Sequence, residues 1–284
     1  MESPKEVSPQ DIQLLASFLV DANDRTRSLV KDQLKAFLER QPAYRQMLED
    51  VSDPDLKKHI SLFFEEDRLG RLETEFRRLA EQGDDLNLEE GAVLLARLEN
   101  PQLSRAQISK QLDRLALGAE ATLRLKNSPT ERSARDLARY LFEQEGFRGN
   151  VVSYHDPANS YIDQVLQRKL GNPILLSSLY LFVAWRLRMN AHGVGLPGHY
   201  IVGYSVPRGI LLLDPFNKGR PLTLQACEKI VKRHGLSFRR EFLDPVSHRH
   251  SLARMIVNLI NIFSEQGDSF KTYWLTRYLE VVQD

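Results

Sequence analysis

Residues 171–188 read GNPILLSSLYLFVAWRLR, and residues 191–214 read AHGVGLPGHYIVGYSVPRGILLLD. In the first stretch Asn172 stands where an N-cap accepts from the first free N–H groups of a helix, and Pro173 takes the first helical position, where a missing N–H is no loss. Leu176, Leu179, Tyr180, Val183 and Leu187 then recur at helical spacing. The residues between them are also mostly apolar, so this helix is expected to lie buried against a sheet. From Pro173 to Trp185 it is shorter than the roughly 18 residues that a membrane span needs. The second stretch breaks into short apolar runs, Ala191 to Val194, His199 to Tyr204 and Ile210 to Leu213, separated by Gly and Pro. That pattern predicts strands of an antiparallel meander. His199 is expected to begin one strand and Asp214 to end the next. A turn at Pro207 to Gly209 would then bring both side chains to one end of a hairpin, where a hydrogen bond between them is natural.

Upstream, helix follows helix. Ser8 and Pro9 form a cap and first position before Ile12, Leu15, Ala16 and Leu19, with Phe18 alongside, and a second helix from about Asp24 carries Leu29, Val30, Leu34, Phe37 and Leu38 before stopping near Pro42. Segments around 44–50 and 55–66 follow, then a charged helix over about 70–81 that Gly83 ends. Asn87 with Glu90, and Ser104 with Gln107, match the capping-box spacing and open helices over 88–99 and 105–126. Ser128 and Pro129 open another, carrying Leu137, Tyr140, Leu141 and Phe142, which Gly146 breaks. No strand signal occurs before residue 150. The first helix pair, with its turn at Asp21 to Asp24, suits one unit of a HEAT-like array, although no repeat recurs at a fixed period. Downstream, a helix over 223–234 is expected, and Leu252, Met255, Ile256, Leu259, Ile260 and Phe263, then Phe270, Tyr273, Trp274, Tyr278 and Leu279 beyond Gly267, predict a helical hairpin.

The chain has 284 residues, 42% of them hydrophobic and 27% charged, which suits one large globular domain or two moderate ones. Its 39 basic and 38 acidic residues leave a net charge of +1, so no overall charge draws it to nucleic acid or to an anionic membrane. The one cysteine, Cys227, forms no intramolecular disulfide and no Cys-based zinc cluster, and fits a reducing compartment. Met1 to Ser8 lacks the apolar run of a secretory signal, so the cytoplasm is the expected location. His248 and His250 are two apart on a helix and point away from each other, and with His234 they make no metal site. No metal or cofactor is expected.

Five motifs stand in order between Glu145 and Asn217: Glu-Gly-Phe-Arg-Gly-Asn (145–150), Asn-Ser-Tyr (159–161), Gly-Asn-Pro-Ile (171–174), Leu-Pro-Gly-His-Tyr (196–200) and Leu-Asp-Pro-Phe-Asn (213–217). This succession resembles the SirB-type branch of the transglutaminase-like superfamily, over roughly residues 86–284. After the N-terminal helical region read over 1–85, the resemblance implies a papain-type core with a small antiparallel sheet over 86–245 and a tetratricopeptide-like hairpin over 246–284, so the protein is expected to be α+β. In the wider superfamily a Cys at the start of a buried helix attacks an acyl group, a His on a following strand takes its proton and an Asp orients the His. The helix N-terminus favours the thiolate.

Carried onto this sequence, His199 and Asp214 match, but the position of the cysteine falls on Pro173, which is no nucleophile. Cys227 comes after the Asp, inside its own helix, and reads as a half-buried helix residue. Ser177 shares the face of Pro173 but lies one turn, about 5.4 Å, deeper. A core serine there usually bonds the carbonyl four residues back. Arg188 departs from related sequences, which commonly have Gly at this helix end. Asn150, Asn159, Ser160, Asn172, Tyr200 and Phe216 are candidates to line the pocket; Asn150, Asn159 and Ser160 suit caps for a helix over 161–169 as well. His199 and Asp214 also suit a buried pair that pins the sheet edge. The leading expectation is a non-catalytic binding or scaffolding protein whose degenerate site recognises a peptide or a small acyl or amide group of a protein partner. The rival is a hydrolase or acyltransferase with His199 as base and Ser177 or water as nucleophile. A purely structural adaptor would leave the pocket idle.

Overall fold

Ile12, Ala16 and Leu19 share one face of α1 (Pro9–Asp21) and bury against Val30 and Leu34 of α2 (Asp24–Arg40), the expected first pair. The computed structural model describes residues 9–21, 23–123, 130–206 and 209–284, so Ser8, Ala22, Ser128, Pro129 and Pro207 lie outside the described residues. The chain divides into two compact units, Met1–Leu72 and Glu73–Asp284. In the first, α3 (Tyr44–Glu49) and the start of α4 (Pro54–Ala80) complete a core around Leu48, Ile60 and Phe63. The two helices expected over 55–66 and 70–81 are one. Gly70 costs only about 1 kcal/mol in a helix interior, while Leu69 and Leu72 beside it are buried and the Arg71–Asp67 ion pair at 2.9 Å spans the position.

The second unit begins helical. Asn87 caps α5 (Leu88–Ala96) by accepting from Glu90 N, but the box is not reciprocal, because Gln82 takes the Asn87 N–H and Glu90 pairs with Arg105. The helix stops at Ala96, and Arg97 turns to donate to Leu103 O at 2.8 Å. Ser104 and Gln107 do form the full box at the start of α6 (Arg105–Leu123). A further box, between Thr130 and Ser133, opens α7 (Glu131–Arg139), which runs into a single π-helical turn over Tyr140–Gln144 before Gly146.

Strand does occur before residue 150: β1 (Arg148–Gly149) pairs in parallel with β2 (Leu170–Gly171). Two residues carry no alternation to read, so only the meeting of the two backbones defines them. Between them a 3₁₀ turn over Pro157–Ser160 leads into α8 (Ile162–Arg168). The antiparallel sheet has the order β3 (Ala191–Val194), β4 (Ile201–Val206), β5 (Gly209–Asp214) and β6 (Arg220–Leu222). It packs on α9 (Pro173–Arg186), buried from Pro173 to Ala184. Burying each large side chain contributes about 1.5–3 kcal/mol, several times any helix propensity, so the apolar run itself holds α9 in place. The unit closes with α10 (Leu224–Arg233) and the packed pair α11 (His248–Glu265) and α12 (Ser269–Gln283). The architecture is α+β, and among the described residues no helix is long and apolar enough to cross a membrane.

Candidate functional site

The site forms where the start of α9 meets the end of the β4–β5 hairpin. Asn172 caps α9, its side-chain oxygen accepting from Leu175 N at 2.9 Å, and Pro173 follows at the first position. The pairing of Val202 with Leu213 sets the hairpin register. His199 Nε2 lies 3.0 Å from Asp214 Oδ1. His199 does not begin the strand as expected. It closes a turn in which its N–H bonds Leu196 O at 3.0 Å, and β4 starts two residues later. The turn needs Gly198: its φ is +73°, and a Cβ there would sit 1.9 Å from the His234 ring.

Asp214 is fully buried. Burial pushes its carboxyl up, but the hydrogen bond and charge of His199, with two bonds from Asn217, outweigh this and hold it below the ordinary value. A carboxylate therefore accepts from Nε2, which must carry the ring proton, and Nδ1 is left with a lone pair in the neutral ring. The His199 side chain is 11% exposed, and Phe216 stands edge-on to it at 6.3 Å. Phe216 in turn covers Gly149, where a Cβ would meet its ring at 2.6 Å. Because β1 pairs with β2 just before α9, Phe216 joins the His199 turn to the start of that helix.

The first position of α9 is held by Pro173, whose ring carries no nucleophilic atom. Ser177 does not bond back along its own helix as expected: its hydroxyl donates across to Tyr200 O, beside the His199 turn, at 3.1 Å. This places the face of Pro173 and Ser177 beside the residue that follows His199. Cys227 is fully buried among Val194, Leu196, Ile201 and Leu212, not half-buried, and burial with the Asp214 charge pushes its thiol up to about 11. Arg188 takes the left-handed conformation, with φ +56°, at the helix end where a Gly was expected.

The predicted pocket residues have other partners. Asn150 Nδ2 donates to Asn159 Oδ1 at 3.0 Å, Asn159 Nδ2 to the carbonyls of Ser153 and Tyr154, and Asn172 Nδ2 to Ser160 Oγ at 2.8 Å. None of them caps α8, whose N-cap Tyr161 gives no side-chain bond. Instead the network ties the 150–156 segment to the start of α9. Of the six, Asn172 lines a cavity of about 320 Å³, which lies between that segment and α11. Tyr154, on the cavity wall, meets Phe216 edge-on at 5.9 Å, so cavity and imidazole share an aromatic wall.

Sequence reasoning missed the supports from α11. Arg254 Nη2 donates to Leu196 O at 3.1 Å and His199 O at 3.0 Å, clamping both ends of the His199 turn. Ser251 donates to Ser247 O, so the Tyr200 hydroxyl must donate to Ser251 Oγ, at 2.6 Å. The signal was weak: a cation and a serine inside an otherwise apolar helix face. His234 packs on Gly198 and His248 bonds Leu86 O. Among the described residues no group of three or more His, Cys, Asp or Glu could hold a metal.

A family model described as the transglutaminase-like superfamily matches residues 106–257. A UPF0162 protein of Xylella fastidiosa is 41% identical over 132 residues, 44% of this chain and 47% of that protein, so the chain spans about half the length of this relative. A UPF0162 protein of Pseudomonas aeruginosa is 30% identical over 181 residues, 63% of this chain and 66% of that protein. The F-box only protein 21 of Mus musculus is 32% identical over 135 residues, 45% of this chain and 21% of that protein. No solved structure matches the chain.

Proposed function

Because the chain belongs to the transglutaminase-like superfamily and its buried helix starts on a proline, we propose that it is a non-catalytic binding or scaffolding protein with a degenerate transglutaminase-like site. The observation that carries this reading is the chemistry beside His199: the ring of Pro173 has no lone pair to offer, the Ser177 hydroxyl is held by Tyr200 O, and the Cys227 thiol is buried. A base remains with nothing to deprotonate, and what is left is a pocket for a peptide or a small acyl or amide group. Pro173, at the nucleophile position, with His199 and Asp214 are in this view the relics of a triad, with Asn172 and Phe216 at its rim. The rival, a hydrolase or acyltransferase using His199 as base with Ser177 or water, is favoured by the retained His199–Asp214 bond at 3.0 Å. The same reading makes the chain SirB-type, with α11 and α12 as a tetratricopeptide-like pair after a core over 86–245. Residues 1–85 are then a helical, HEAT-like region, and the protein works in the cytoplasm on a protein or peptide partner.

The test is to install the missing atom. Pro173→Cys on a Cys227→Ser background should give a thiol that titrates well below the free value of about 8.5, because a helix N-terminus and a protonated imidazole lower it to roughly 3.5–7.5. The pH dependence of iodoacetamide labelling, with and without His199→Ala, reads this directly. A new cysteine that titrates as a free thiol in both backgrounds would sink the degenerate-triad reading. Screening capped peptides and acyl amides for turnover, with His199→Ala as control, separates the rival.

A further inference from the structure

From Pro215 to Arg240 the chain carries seven basic residues against one acidic residue, Glu228. The whole chain is balanced at 39 basic and 38 acidic residues, so this excess is local and the remainder is net acidic. All seven are exposed. Among the described residues only Lys232 of the seven forms an ion pair, with Glu228 at 3.3 Å, whereas each arginine of α7 is paired with a carboxylate. The fold gathers the stretch around the His199 turn. β6 pairs Arg220 with Asp214, the partner of His199, and Lys218 follows the 3₁₀ turn that carries Phe216. α10 returns to the same end of the sheet, where its C-cap His234, next to Arg233, packs on Gly198. Phe238 and Phe242, on either side of Arg239 and Arg240, share a core cluster with Leu196, whose carbonyl takes the His199 N–H. Under the turn Arg254 is half-buried and, among the described residues, pairs with no carboxylate. Basic residues in a last helical turn complement the helix dipole, which accounts for Lys232 and Arg233. Lys218, Arg220, Arg239 and Arg240 lie outside α10 and have no such role.

We propose that this basic rim binds an acidic peptide segment of the partner protein, with Asp and Glu side chains on either side of the group seated at His199. The proposal rests on the reading of that site as one that recognises peptides. Like charges held unpaired on one surface repel each other and attract a segment of opposite sign within a Debye length, about 10 Å at 0.1 M salt. A carboxylate answers both kinds of cation in the rim, since it accepts two parallel bonds from a guanidinium and a single one from an ammonium. A nucleic acid also brings negative charge, but single strands take aromatic faces for their bases as well. The two phenylalanine rings of the stretch are engaged, Phe216 with His199 and Tyr154 and Phe238 with Phe242.

The probe is a capped nonapeptide, one glutamine with four glutamates on each side, titrated into the full chain and followed by backbone amide resonances. Saturable shifts are expected at Lys218, Arg220 and Arg233, with binding about tenfold weaker when salt rises from about 50 to 500 mM. The same peptide with serine in place of glutamate should not bind. Arg220→Glu/Arg233→Glu turns two attractions into two repulsions and should weaken binding about tenfold. Lys218→Glu/Arg240→Glu should do the same and guards against a folding defect in the first pair. Lys57→Glu/Lys58→Glu, an equal change of net charge at exposed positions of the smaller unit, should leave binding within about twofold. Absence of saturable binding, equal binding of the serine peptide, indifference to both rim pairs, or an equal loss with the Lys57 and Lys58 pair overturns the proposal. So does tighter binding of an oligothymidylate of equal charge or of phosphatidylserine vesicles. A His199→Ala arm keeps the two readings apart. Binding that survives His199→Ala but not the rim variants supports the acidic segment while removing His199 from recognition. Binding lost with His199→Ala but indifferent to the rim variants overturns the rim and leaves the degenerate-site reading standing.

Discussion

Replacing Asp214 by alanine is expected to destabilise the larger unit by about 3 kcal/mol, the low end of the range for removing one partner of a buried ionic pair. The carboxylate is fully buried and accepts from His199 Nε2 at 3.0 Å, Asn217 N at 3.3 Å and Asn217 Nδ2 at 2.7 Å. Each stranded donor costs about 1–3 kcal/mol, and Asn217, which is exposed, recovers part of that from water. For a unit of this size about 3 kcal/mol lowers Tm by roughly 6–12 °C. Asp214→Asn should cost less, about 1–2 kcal/mol, because one oxygen still accepts from the imidazole while the new NH₂ faces the Asn217 amide. The pH dependence has a definite sign. The folded carboxyl is held below its ordinary value of 3.8, so the folded chain binds this proton more weakly than the unfolded one. The stabilisation is fully present above the ordinary value and is lost as pH falls through the folded one. Scanning calorimetry at pH 7 and between pH 5 and 3, on wild type, Asp214→Ala, His199→Ala and the double variant, measures all of this. A loss under about 1 kcal/mol for Asp214→Ala would refute the reasoning, as would strict additivity with His199→Ala, because touching residues should couple by about 0.5–3 kcal/mol.

Ser177→Ala should cost about 0.5–1.5 kcal/mol for the bond to Tyr200 O and leave peptide binding unchanged; an amide turnover abolished by this variant, with folding intact, would make the serine a nucleophile after all. Cys227, buried and with its thiol pushed up to about 11, should resist iodoacetamide at pH 8 until the protein unfolds, and rapid labelling of native protein by mass spectrometry would contradict its placement. Arg188→Gly should raise stability by about 0.5–1 kcal/mol, since relief of the left-handed backbone at φ +56° exceeds the added freedom of the unfolded chain. Arg188→Val should move Tm the other way.

The sequence alone determined the elements whose signal is local. Asn172 and Pro173 start α9 because a cap and a fixed φ act within one turn, the apolar run after them marks its burial, and the Gly and Pro breaks after residue 190 divide the meander into strands. The approach of His199 to Asp214 was legible for the same reason, since hairpin register follows from turn and strand lengths. Tertiary structure decided what those elements are buried against. Periodicity says that Ser177 faces inward; only the chain that follows the His199 turn decides that its proton goes to Tyr200 O rather than back along the helix. The two-residue strands β1 and β2 exist because Arg148 N finds Lys169 O and Asn150 N finds Gly171 O, partners about twenty residues away along the chain. Arg254 clamps the His199 turn from 55 residues downstream, and Cys227 is buried in one cluster with Val194, Ile201 and Leu212 of three different strands. Such contacts join residues remote in sequence, and a single chain read from end to end carries the tendency of each residue to be buried but not the identity of the group it will meet.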